Sequence, residues 1–123
     1  MMTLSLKEKF EKASSILKDK TSRDEITTLM HRTPWVRILL EHDEQEGDAY
    51  FIEVEISLPE NLDSEELDSS ELIDRLSKHL QYLQRLRDVG FELSIIGTGC
   101  IYCASKELRE PPEDRLFNAL IPP

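Results

Sequence analysis

The sequence predicts an α+β fold in which one long helix packs on a face of an antiparallel four-stranded sheet, in the order α-α-β-β-α-β-β-α. Three observations predict it. Two pairs of short segments alternate apolar and polar residues with period two, each pair around a turn. Between the pairs lies a stretch of about twenty residues with apolar side chains at helical spacing. A serine or aspartate with glutamate three residues later, the capping box that starts helices, precedes the helical stretches.

Residues 5–19 read as an amphipathic helix. Ser5 and Glu8 form its capping box, and Leu6, Phe10, Ala13 and Leu17 share one side. Ser22 with Glu25 predicts a shorter second helix to His31, its apolar side formed by Ile26, Leu29 and Met30. Pro34 ends it, because the proline ring disfavours helical geometry at Thr33.

The period then changes to two. Val36, Ile38 and Leu40 alternate with Trp35, Arg37, Leu39 and Glu41. Tyr50, Ile52, Val54, Ile56 and Leu58 alternate with Phe51, Glu53, Glu55 and Ser57. The polar segment Glu44–Asp48, with Gly47, joins the two strands as a hairpin. Setting Leu40 against Ile52 and Ile38 against Val54 puts the aliphatic residues on one face. Arg37 then falls opposite Glu55 on the other, as a cross-strand ion pair. Trp35, Leu39 and Phe51 share that second face. Such an apolar group is costly to expose, so a homodimer is expected unless the N-terminal helices cover it.

Residues 59–68 form an acidic linker. Asp68 with Glu71 opens the longest helix, residues 69–89, with Ile73, Leu76, Leu80, Leu83 and Leu86 as its stripe and Gly90 as its end. Residues 91–97 and 100–106 read as a second hairpin turning at Thr98-Gly99. Pro111, Pro112, Glu113 and Asp114 open a last short helix to Leu120. The whole is expected to be a single domain, residues 1–123, with an N-terminal helical segment (1–33) and a sheet-and-helix core (34–123). That length suffices to bury one core.

Net charge is −10, and its distribution says more than its sum. Residues 38–74 hold fourteen Asp and Glu and no Lys or Arg, whereas the segments before and after them are net +3 and +1. Such a surface repels phosphate. Nucleic acid and anionic membrane are therefore not expected partners, and a basic protein surface or a cation is favoured. No stretch approaches the roughly 18–20 apolar residues of a membrane span. Lys7, Glu8 and Lys9 stand where a signal peptide needs its apolar run, so the expected compartment is cytoplasmic. Cys100 and Cys103 are too few for a disulfide framework, which agrees with a reducing compartment.

These features read as a non-catalytic protein-binding or adaptor domain that engages a basic partner or a second copy of itself. Its candidate binding residues are Asp43, Glu44, Glu46, Asp48, Trp35 and Phe51. Catalytic residues and cofactors are not expected, since no nucleophile or metallohydrolase motif occurs. Gly97-Thr98-Gly99 precedes a strand rather than the helix a phosphate loop requires. The acidic loop fails the calcium-loop pattern, having Asp48 where glycine is needed. His42, between Glu41 and Asp43, could act as a general base, but a strand-end histidine beside a loop reads as solvated surface. The alternative is a thiol- or metal-dependent function centred on Cys100 and Cys103. A C-x-x-C pair can bind metal or cycle between thiol and disulfide, yet residues three apart in a strand point to opposite faces.

Overall fold

Side-chain caps start the two longer helices where the sequence places them. The computed structural model describes residues 5–19, 27–43, 49–57, 68–96, 101–108 and 112–123. In α1 (Leu6–Asp19) the Ser5 hydroxyl accepts the Glu8 N–H at 3.2 Å. In α2 (Ser69–Asp88) the Asp68 carboxylate accepts the Glu71 N–H at 2.8 Å. Each satisfies a backbone donor that has no partner within its helix. The second capping box, Ser22 with Glu25, lies outside the described residues.

The end of α2 is equally specific. Phe91 N–H bonds to the Leu86 carbonyl at 3.0 Å and Gly90 N–H to that of Arg87 at 3.0 Å, a Schellman closure with Leu86 and Phe91 both buried. Gly90 has φ 100°, the left-handed region that side chains oppose. A Cβ there would also lie 2.6 Å from Lys106 Nζ, but that ammonium can swing aside and the backbone cannot.

Among the described residues five strands form the sheet, not four: β1 (Thr27–Arg32), β2 (Val36–Asp43), β3 (Ala49–Ile56), β4 (Glu92–Ile96) and β5 (Ile101–Leu108). The expected second helix is therefore corrected, since residues 27–32 are a strand. The reason is a bulge. Thr28 pairs with Leu40 and Leu29 with Leu39, but His31 pairs with Ile38, leaving Met30 as the extra residue. An extra residue breaks the alternation that reveals a strand, and it leaves a spacing that imitates a helix.

The spatial order is β1-β2-β3-β5-β4, and every pairing is antiparallel. The β2–β3 register is the one set by the aliphatic residues: Leu40 opposite Ile52, Ile38 opposite Val54, Arg37 opposite Glu55. The Arg37 guanidinium donates to the Glu55 carboxylate. The turn expected at Thr98-Gly99 lies outside the described residues.

One core cluster joins α1, α2 and α3 (Asp114–Leu120) to a single face of the sheet. Val36, Ile38, Leu40, Ile52, Val54 and Ala104 pave that face and are almost fully buried. Phe10 of α1 meets Phe117 of α3 edge-on, with centroids 5.6 Å apart. Two residues of α2 hold the end of α3. Tyr82 donates its buried hydroxyl to the Leu120 carbonyl at 2.7 Å, and Arg85 donates to the Ile121 carbonyl at 2.6 Å. These bonds satisfy carbonyls that the short helix leaves open.

Trp35 requires a second correction. It lies on the helix side rather than the second face, 5.2 Å from the His79 ring, with the Arg75 guanidinium 5.9 Å from its centroid. Trp35 precedes β2, so strand alternation does not govern it. His79 is buried, and its Nδ1 has no hydrogen-bond partner among the described residues. Burial, with the Arg75 charge second, holds its pKa below 6.5; burial, then Lys9, does the same at His31.

Two stability predictions follow from these contacts. Gly90→Ala is expected to cost about 1–2 kcal/mol in urea unfolding, through the positive φ. Adding Lys106→Ala restores little, and full recovery in the double variant would assign the cost to the side-chain contact instead. For the histidines, the unfolded chain takes up protons near pH 6.5 while the folded chain resists. Stability is therefore complete above that pH and declines as pH falls below it. The urea midpoint is expected to drop between about pH 7 and about pH 5.5, and less steeply in His79→Phe. Parallel slopes in the two proteins would show that His79 is not responsible.

Candidate binding face

Because all three described helices pack on one face, the other face of the sheet is left to the alternate residues of each strand. Pairing arranges those residues in rows across the strands. In one row Glu41 of β2, Phe51 of β3 and Glu107 of β5 lie side by side. In the next come Leu39, Glu53, Ser105 and Glu92. In the third come Arg37, Glu55, Cys103 and Ser94, with Arg32 of β1 opposite Arg37. Five glutamates thus share the face, and its two arginines stand together at one corner. Phe51 is half-buried between Glu41 and Glu107, while Leu39 is buried.

The sequence-predicted residues meet this face unevenly. Phe51 is part of it. Asp43 and Ala49 pair at the edge beside the Phe51 row, and the segment between them carries Glu44, Glu46 and Asp48, which lie outside the described residues. Trp35 is on the opposite side of the sheet. Glu41, Glu53 and Glu55 could have been found from the alternation of β2 and β3. Glu92 and Glu107 could not, because their place depends on β3 pairing with β5.

Cys103 sits on the same face and is buried. Its thiol donates to Glu53 Oε1 at 3.2 Å. Burial is the main cause that pushes its pKa from 9.0 up to about 12, followed by the bond to Glu53 and the charges of Glu53, Glu55 and Glu41. Both nucleophilic attack and metal ligation require the thiolate, which this setting strongly disfavours. Cys100 lies outside the described residues. Among the described residues no three His, Cys, Asp or Glu side chains are grouped to hold a metal ion, and no helix is long and apolar enough to cross a membrane.

On the helix side, an open cleft of about 750 Å³ lies between the end of α2, β5 and the start of α3. Asp88, Lys106, Glu113 and Arg115 line it, and Arg115 donates to the Asp88 carbonyl at 3.4 Å. Its charges are mixed, and no nucleophile is paired with a base there. Comparison of the chain with protein-family models, curated proteins and solved structures gives no match.

The thiol's setting is directly measurable. In a Cys100→Ser background, Cys103 is expected to react with a thiol reagent at pH 7 at least about a hundredfold more slowly in the native protein than in denaturant, because its thiolate fraction is suppressed. Equal rates would show that Cys103 is an accessible, ordinary thiol.

Proposed function

We propose that this chain is a non-catalytic protein-binding domain that takes a basic segment of its partner on the face of the sheet opposite the described helices. One observation supports this reading above the rest: Phe51 flanked on its two neighbouring strands by Glu41 and Glu107. A lysine or arginine laid over that ring gains the attraction of a cation for an aromatic face, and its head group reaches carboxylates on both sides. Glu53, Glu55 and Glu92 continue the negative field across the sheet. The segment between β2 and β3 adds Glu44, Glu46 and Asp48 to the sequence's negative charge. Together they are suited to speeding encounter and selecting a basic partner over an acidic one. The buried thiol of Cys103 adds no chemistry in this reading, and its bond to Glu53 holds one carboxylate of the face in place.

The test is titration with a short peptide that alternates Lys or Arg with aliphatic residues, followed by calorimetry at low and high salt. Binding is expected to weaken as salt rises, since exposed charges are screened beyond about 10 Å at 0.1 M. Phe51→Ala is expected to lose about 1 kcal/mol, roughly fivefold in affinity. Glu41→Gln with Glu107→Gln weakens binding further and flattens the salt dependence. A peptide that binds equally well at all salt levels and to all these variants would overturn the proposal.

A further inference from the structure

The two halves of α2 are held very differently. The core cluster takes Tyr82, Leu83 and Leu86 from the second half, with Val89 just beyond it. Tyr82 and Arg85 also grip the end of α3. In the first half Ile73 and Leu76 are exposed, and so is Leu80 after it. Before Tyr82 a single residue of the helix is buried, and that residue is His79. A helix in a protein is stabilised chiefly by packing of one face, so the first half of α2 depends on this contact.

His79 rests on a fixed platform. Its ring centroid lies 5.2 Å from that of Trp35, the planes tilted by 43°. Trp35 is packed against the core, and its carbonyl accepts the Ser57 N–H at 3.0 Å. Beside it, the Thr33 hydroxyl accepts the Val36 N–H at 3.0 Å, and the Thr33 N–H donates to the Val36 carbonyl at 2.8 Å. The tryptophan is thereby tied to β2 and to the end of β3.

The surroundings suit a neutral imidazole and oppose a charged one. An imidazolium carries a proton on both ring nitrogens, and the buried Nδ1 has no acceptor among the described residues. The platform offers an uncharged indole, and the sheet face beneath the helices is paved by Val36, Ile38, Ile52 and Val54. The charged group that acts on His79 is Arg75, whose guanidinium lies 5.9 Å from the same indole centroid. Lys78 and Asp74, on the same helix, are exposed and pair with each other at 3.1 Å.

We propose that His79 on Trp35 is a pH-sensitive latch: neutral, it holds the first half of α2 on the sheet, and protonation releases that half while Tyr82, Arg85 and Leu86 keep the second in place. Opening returns the imidazole to water, where it takes up a proton near 6.5; the closed state takes one up only at lower pH. The open population is therefore smallest above that pH. It rises as pH falls, by up to about tenfold per pH unit. The loss of overall stability is thus preceded by a local opening, on the side of the sheet away from the acidic face.

Trp35 is the chain's single tryptophan, so its emission reports the latch directly. Lowering the pH from about 7.5 to about 5 is expected to shift that emission to the red, with a midpoint below 6.5. Over the same range, hydrogen exchange corrected for intrinsic rates is expected to show at least about tenfold lost protection in residues 73–79 and little change in 82–88. His79→Phe, which keeps a ring on Trp35, and His79→Gln, neutral at every pH, should each abolish both changes. His31→Gln should leave them, and Arg75→Gln should raise the midpoint by removing the like charge. An emission maximum that stays constant to about pH 5, or a red shift that persists in both His79 variants, would overturn the proposal. Equal loss of protection along the whole of α2 would overturn it as well, because the domain would then be opening as one.

Discussion

Between Tyr50 and Ile56 the third strand pairs with the fifth, and this ladder joins the β1-β2-β3 meander to the β4-β5 hairpin in one sheet. Its pairs are distant in sequence: Tyr50 lies opposite Leu108 and Ile56 opposite Tyr102. Closing so long a loop costs entropy that local turns do not. The helix between them offsets part of this cost. α2 ends in a Schellman closure that buries Phe91 against Leu86, so the chain re-enters the sheet directly beneath the helix. Tyr82 and Arg85 then fix α3 to the same helix. With β3 and β5 paired, Ala104 lies under the helices and Cys103 lies opposite, beside Glu55. The core and the acidic face are thus two consequences of one register.

With the described helices all on one side of the sheet, the charged residues of the strands lie on the other. The alternation in β2 and β3 puts Ile38, Leu40, Ile52 and Val54 inward, and every residue between them outward. Carboxylates on neighbouring strands repel, and that repulsion is tolerable because water and the Arg37 pair screen it. Cys103 shows the limit of that tolerance. Surrounded by Glu41, Glu53 and Glu55, it remains a neutral donor, and the same negative field that suits a basic ligand suppresses its thiolate. The binding and thiol readings are therefore physically opposed at this face.

Legibility in the sequence follows how local each signal is. Caps at Ser5 and Asp68, the end at Gly90 and the β2–β3 register were all readable, because each depends on residues close in the chain. β1 was not, because its Met30 bulge breaks period two and leaves Ile26, Leu29 and Met30 at helical spacing. Trp35 was misplaced by one residue of strand boundary, which is enough to change its face. Of the candidate site, Phe51 and the alternating glutamates of β2 and β3 were visible, while Glu92 and Glu107 required the β3–β5 pairing. The stripe of α2 was visible as a set, but its division into a buried and an exposed line was not. Helical spacing gives direction around an axis and says nothing of how far the neighbouring elements reach.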